Sequence, residues 1–516
     1  MYYYFKKSFV ILIAFGCWIN AHSSEAFGTL GLDIHHRYSD TVKDFLDVDG
    51  LPEKGSLDYY AAMAHRDQLF KARRLATSTT TPILTFLGTN QTFRLTSLGF
   101  LHYSVVAVGT PALPFLVALD TGSDLFWLPC DCTSCVRSIN STSRERLDLN
   151  IYSPNKSSTS DRVPCNSNKC GPRRGCATRR NACAYQEVYL SSNTSTTGIL
   201  VDDVLHLGTD SDPQDIVEAP ITLGCGIIQT GDFLDGAAIN GLFGLGMDNI
   251  SVPSILANNG LTANSFSMCF GPDGLGRINF GDKGSPAQKV TPFNLEQLHP
   301  TYNITVTQIA VENNVTDLEF TAIFDSGTSF TYLNDPAYSA IVESFTSQII
   351  TEPRYHPQTQ IIFDYCYALS ANQDSYNTPN LNFTMKGGDQ FYVTAPTIVI
   401  PHQGGYAYCL AIVKSEDINI IGQNFMTGYR IVFDREEMVL GWKASDCYDS
   451  ISSNTLPPEA TPANRTRSSF PNTSPPPLLS TPLSGNNVAH LNYMIYDGFL
   501  MVILSICFYH FLVLSS

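Results

Sequence analysis

Two tripeptides, Asp120-Thr121-Gly122 and Asp325-Ser326-Gly327, stand in separate halves of a 516-residue chain. Each closes a run of strand-type residues, Phe115–Leu119 and Phe320–Phe324. A carboxylate delivered at the end of a buried strand is costly unless it is paired or used. Two such acids in matching contexts point to one site built at a pseudo-two-fold axis. Carboxylates held about 3 Å apart cannot both ionise readily, so the pair shares one proton and titrates as a unit. The ionised member can take a proton from water while the protonated member hydrogen-bonds a peptide carbonyl. That is peptide-bond hydrolysis without metal, cofactor or covalent intermediate, and it is expected to peak in acid. Either tripeptide alone would be ordinary turn chemistry; the repeated strand context singles them out.

The elements that must position these acids are strands. From Phe100 onward, short apolar or alternating runs are broken by Gly, Pro, Asn and Asp, the pattern of stacked antiparallel sheets. Strands are expected at His102–Val108, Phe115–Leu119, Ile199–Leu205, Ile221–Cys225, Phe391–Val393, Thr397–Ile400 and Tyr429–Phe433. The better helical windows are Val252–Asn258 and Pro336–Ser347. The length suits two packed lobes with appendages. Lys and Arg number 31 against 47 Asp and Glu, a net charge of −16. That disfavours nucleic-acid binding, which needs basic patches to neutralise phosphates, and suits an acidic compartment.

The leader 1–24 reads as a secretory signal, Lys6-Lys7 preceding a short apolar run and small residues. The run is too short for a membrane anchor. Of 14 cysteines, Cys17 lies in the leader and Cys507 in the tail. The other twelve are Cys130, Cys132, Cys135, Cys165, Cys170, Cys176, Cys183, Cys225, Cys269, Cys366, Cys409 and Cys447. An even count behind a signal reads as disulfides. Cys130-x-Cys132-x-x-Cys135 alternatively fits a metal site, but no metal is expected in an oxidising compartment. Spacing does not fix the pairing; Cys366 with Cys409 and Cys269 with Cys447 are plausible partners. N-glycosylation sequons are expected to be used at Asn90, Asn140, Asn155, Asn249, Asn303, Asn314, Asn382, Asn464 and Asn472. Another, at Asn193, falls near the expected active-site flap.

Residues 25–95 read as a propeptide, with a charged helix-compatible stretch at Asp58–Phe70 and a processing region around Arg73-Arg74; a structural N-terminal extension is the alternative. Residues 448–487 form a Pro/Ser/Thr-rich stalk that cannot bury a core. Residues 488–516 read as a glycosylphosphatidylinositol-attachment signal with Ser484 as the attachment site. A retained tail anchor is the alternative, which the absence of a basic flank disfavours.

Val108-Gly-Thr-Pro111, Leu119-Asp-Thr-Gly-Ser-Asp-Leu-Phe-Trp127 and Phe324-Asp-Ser-Gly-Thr-Ser-Phe-Thr331 together resemble the pepsin-like (A1) aspartic proteases, and in particular the cysteine-rich plant group of nucellin-like and nepenthesin-like enzymes. Ile239–Gly246 and Ile420–Phe425 resemble the apolar-Gly strands beneath the catalytic loops. The resemblance covers about residues 100–447. It implies an all-β, bilobal fold, with an N-terminal lobe at 96–285 carrying a Cys-rich insertion and a C-terminal lobe at 286–447. It implies Asp120 and Asp325 as the dyad, Thr121 and Ser326 locking the loops, and Ser123 and Thr328 bonding the outer carboxylate oxygens. Gly122 and Gly327 would permit the turns. Tyr189 would be the flap residue, bonded to Trp127, with Tyr185 as its rival; Leu190 replaces the usual Gly. Substrates would be proteins or peptides with apolar residues around the scissile bond, and the enzyme a monomer with no nucleic-acid partner, tied to the membrane by its lipid anchor. A binding protein with a damaged dyad and an adhesion scaffold are the competing readings, against which both tripeptides stand intact.

Overall fold

In a computed structural model, the structure describes residues 29–46, Ser56, Tyr59, Tyr60, Met63 and, with short gaps, 99–447 and 467–469. All seven expected strands form, and the two helical windows appear as Val252–Asn258 and Ala337–Thr346. Asn90, Asn464, Asn472, Ser484 and the apolar tail lie outside the described residues, as does most of Asp58–Phe70. Among the described residues no helix is long and apolar enough to cross a membrane.

Two sheet systems carry the two Asp-containing loops. In the first half, strand Leu113–Asp120 runs antiparallel to His102–Val108 and parallel to Leu242–Gly244, with Gly244 opposite Asp120. In the second half, Asn314–Phe324 runs antiparallel to Asn303–Val311 and parallel to Ile420–Ile421, with Ile421 opposite Phe324. The strand after each loop folds back over the same partner: Trp127 lies opposite Leu242, and Tyr332 opposite Ile420. The two halves thus repeat one arrangement, strand–loop–strand with a third strand threaded beneath. Phe115 to Leu119 are all buried, which is why they read as a continuous apolar run rather than an alternating one.

The halves are not independent. Tyr429–Asp434 and Val439–Ala444, from the end of the second half, enter the larger sheet by pairing with Ser265–Phe270 and with each other. The N-terminal strand Leu30–His36 enters the same sheet between Leu275–Phe280 and His102–Val108. The segment expected as a propeptide therefore supplies core. Val42 and Leu46 are buried in the first lobe, and Tyr38 and Met63 pack with Phe330, Phe363 and Ile400 of the second.

All twelve expected cysteines pair: Cys130–Cys225, Cys132–Cys135, Cys165–Cys176, Cys170–Cys183, Cys269–Cys447 and Cys366–Cys409. Cys130, Cys132 and Cys135 are thereby spent on bridges rather than held for a metal. Bridges of this kind limit the freedom of the unfolded chain, and Cys269–Cys447, 178 residues apart, closes the longest loop.

Candidate active site

The two Asp-x-Gly loops meet between the sheet systems. Asp120 Oδ1 accepts a hydrogen bond from Gly122 N–H at 2.9 Å, and Asp325 Oδ1 accepts one from Gly327 N–H at 2.8 Å. A Cβ built on Gly122 would lie 3.2 Å from Asp120 Oδ1; one on Gly327 would lie 3.0 Å from Asp325 Oδ1 and 3.8 Å from Asp120 Oδ1. The last pair of distances puts both carboxylates beside one glycine. Neither glycine has a left-handed backbone. A side chain here would press on the carboxylate, whereas the turn itself does not demand a positive φ.

The loops are held from below in matching ways. Leu245 N–H donates to Asp120 O and Gly246 N–H to Ser123 O, while Gln423 N–H donates to Thr328 O and Asn424 N–H to Ser329 O. Across the interface the Thr121 and Ser326 hydroxyls, both buried, face each other at 3.5 Å. The link expected between these residues is thus a contact between hydroxyls.

The outer oxygens break the symmetry. Thr328 Oγ1 donates to Asp325 Oδ2 at 2.7 Å. Its counterpart Ser123 is near enough to Asp120 to favour ionisation, yet its buried hydroxyl meets no partner at hydrogen-bonding geometry. Burial pushes the Asp120 carboxyl up to about 6; the charges of Asp325 and Asp124 add to the rise, while Ser123 and the Gly122 N–H oppose it. The carboxyl is deep although the residue as a whole keeps some solvent contact. A carboxyl so shifted carries a proton in mild acid, which is what the protonated member of a shared-proton pair requires.

Ala182–Val188 and Ser195–Thr209 pair as antiparallel strands of the first lobe's sheet. Tyr189, the residue after the first of these strands, accepts a hydrogen bond on its phenol from Trp127 Nε1 at 2.8 Å. Burial raises the Tyr189 phenol well above its ordinary value, and the Asp120 carboxylate raises it further, so the ring lies within the field of the acid. Tyr185 instead turns into the sheet, its hydroxyl 3.1 Å from Thr196 Oγ1, and its ring occupies the space a side chain at Gly224 would need. Trp127 is fully buried on a strand paired in parallel with Ile216–Thr230 and bridged to it by Cys130–Cys225. Replacing Tyr189 by Phe strands the buried indole N–H. A loss of about 1–3 kcal/mol of stability is expected, to be read by urea denaturation; an unchanged midpoint would mean the bond contributes nothing.

One residue was not anticipated. Phe233, in the short helical turn Gly231–Asp235, packs its ring 4.9 Å from Trp127 and 5.0 Å from Tyr189, closing an apolar aromatic wall beside the acids. In sequence it is a single Phe among Gly and Asp, with no periodicity to mark it. Only the tertiary return of the strand Ile216–Thr230 brings it there.

Among the sequons, Asn155, Asn249 and Asn314 are exposed. Asn303 Oδ1 accepts from Asn294 Nδ2, and Asn382 Oδ1 is buried within the second lobe's sheet without a partner. Asn140 ends a short strand, Ser138–Asn140.

Residues 102–282 match the family described as xylanase inhibitor N-terminal, and residues 301–444 the one described as xylanase inhibitor C-terminal. The chain is 57% identical over 446 residues to Aspartyl protease family protein 1 of Arabidopsis thaliana, covering 86% of each. It is 28% identical over 365 residues to Aspartic proteinase nepenthesin-1 of Nepenthes gracilis, covering 66% of this chain and 77% of the other. Among solved structures, basic 7S globulin from soybean superposes with a TM-score of 0.52 at 19% identity over 67% of this chain and 92% of that one. Conglutin gamma from lupine seeds gives 0.53 at 18% identity over 68% and 92%. These last two likenesses speak to the fold.

Proposed function

The chain belongs to the pepsin-like aspartic protease family, and from that premise we propose that it cleaves proteins in acid through Asp120 and Asp325 acting as one proton-sharing pair. The observation that carries this reading is the matched pair of loops, each carboxylate taking a backbone N–H from its own glycine and both lying beside Gly327. One carboxylate removes a proton from water, whose oxygen attacks the peptide carbonyl carbon. The other gives its proton to the carbonyl oxygen. The tetrahedral gem-diol then collapses: the carboxyl that took the water proton gives it to the leaving nitrogen, and the C–N bond breaks. The other carboxylate takes a hydroxyl proton back from the gem-diol as C=O re-forms, restoring the one shared proton. The raised pKa favours Asp120 as the proton-bearing member. Tyr189, Trp127 and Phe233 supply an apolar wall that supports a preference for apolar residues around the scissile bond.

The pH dependence follows from the sign of the shift. Asp120 is raised from 3.8 to about 6, so its proton is held below that value and lost above it. Cleavage is expected to fall as pH rises through about 6. The same shift stabilises the folded chain fully below pH 3.8 and ceases to do so as pH climbs through about 6. Pepstatin-sensitive cleavage of an apolar peptide, followed from pH 3 to 8, tests the reading. A rate that is flat across neutrality would contradict it.

The xylanase-inhibitor description of the matched families favours a second reading, a binding protein without activity. Intact tripeptides in both loops weigh against it, and absence of cleavage by correctly matured protein would establish it. The secretory leader and Ser484 attachment signal support display on the outer face of the plasma membrane by a lipid anchor. Release by a phosphatidylinositol-specific phospholipase tests that. The segment 25–95 fits a propeptide whose strand Leu30–His36 must be replaced, or retained uncleaved from the fold, if the flanking strands are to stay paired.

A further inference from the structure

A groove of about 900 Å³ opens on the first lobe between the disulfide-tied segment around Cys165–Cys183 and the helix Val252–Asn258. No residue of either Asp-x-Gly loop lines it. Its size lies within the range of small-ligand sites, about 300–1,000 Å³, but its walls carry amides and charges rather than an apolar lining. Lys169 and Asp202 are paired at 2.9 Å on one side, Asn258 and Arg174 line it elsewhere, and Ile255 offers an apolar surface. Arg174 Nε is withdrawn from solvent and has no hydrogen-bond partner among the described residues. Asn249 sits on the rim, exposed, as the first residue of the sequon Asn249-Ile250-Ser251.

We infer that this groove is the seat of the protein's own N-linked glycan, attached at Asn249. Two independent features converge on it: a cavity with an unspent guanidinium nitrogen, and a glycosylation acceptor on its edge. A sugar chain matches such walls, since its hydroxyls accept from Arg174 and Asn258 while the apolar face of a ring covers Ile255. The order of events points the same way. Ser251, whose hydroxyl the transfer of sugar requires in an open chain, is fully buried in the folded protein, its Oγ 3.0 Å from Ser254 Oγ and 3.3 Å from Arg435 Nη1. Attachment must therefore precede closure of this segment, and the folded lobe must then house what was attached. Lying in the groove, the glycan would join the cysteine-bridged segment to the helix.

This inference rests on passage of the chain through a secretory pathway, and the test separates the two. The full chain, produced through a eukaryotic secretory pathway, is digested with peptide-N-glycosidase, and occupancy at each sequon is followed by peptide mass spectrometry. Asn314 provides the reference, exposed at the turn between Asn303–Val311 and Asn314–Phe324. The expected result is that Asn249 is occupied and, in the native protein, loses its glycan at least tenfold more slowly than Asn314, with the difference gone after denaturation. An empty Asn249 beside an occupied Asn314 or Asn155 would overturn the inference and leave the secretory reading standing. Equal native rates at Asn249 and Asn314 would likewise overturn it. No occupied sequon at all would overturn both.

Discussion

Asp120→Asn is expected to lower kcat/KM for peptide cleavage by about 10³-fold or more while the protein stays folded. A positioned acid–base group contributes roughly 10²–10⁴-fold, and here the loss of one carboxyl also ends the proton sharing on which its partner depends. Asn keeps the shape of Asp and keeps an oxygen to accept the Gly122 N–H, so the loop need not move. Stability is expected to hold or rise at neutral pH. Burial makes an ionised Asp120 unfavourable above about pH 6, and the amide removes that charge. Asp325→Asn should lose as much activity; its Oδ1 can keep the Gly327 N–H, while Thr328 Oγ1 must turn from donor to acceptor to bond the new amide. Peptide hydrolysis near pH 4 and thermal melting at pH 4 and 7 check both. An Asp120→Asn protein within tenfold of wild type would remove Asp120 from the chemistry.

How far these loops could be read from sequence depends on which interactions are local. Phe115–Leu119 announces its strand because burial on both faces demands a continuous apolar run, whereas Phe320–Phe324 alternates, with Ala322 and Phe324 buried and Thr321 exposed. Ile239–Gly246 and Ile420–Phe425 were legible as partners through their resemblance to the apolar-Gly strands that pass beneath such loops. The departures all involve contacts between distant segments. Ser123 and Thr328 occupy equivalent positions in sequence, yet only Thr328 completes its bond; the difference of geometry is invisible in the letters. Phe233 joins Trp127 and Tyr189 through the path of a long strand, which no periodicity reports. The strand Leu30–His36 was hidden for a similar reason: its segment has weak alternation of its own and takes its place from the two strands flanking it.

The glycines beneath the loops bear the second large expectation. A Cβ at Gly422 would stand 2.3 Å from Phe330 O and 2.5 Å from its carbonyl carbon; one at Gly244 would stand 2.2 Å from Asp124 O and 2.3 Å from its carbonyl carbon. These are backbone atoms, which cannot rotate aside as a side chain could. Gly422→Ala and Gly244→Ala must therefore displace the strand or the loop above it, at about 3 kcal/mol or more, the upper end of overpacking costs. Gly175→Ala is the fitting control, since its Cβ would meet only Ala184 Cβ at 3.9 Å. Urea unfolding should separate the two classes, and the folded fraction of the first pair should also cleave more slowly, because Gly244 lies opposite Asp120 and Gly422 directly follows Ile421, which receives the Asp325 N–H. Loss of stability alone would mean that the sheet yields and the acids keep their places; loss of both would mean that the third strand of each half sets the distance between the carboxylates. Equal losses from the two substitutions would show that the pseudo-two-fold repeat is energetic as well as geometric.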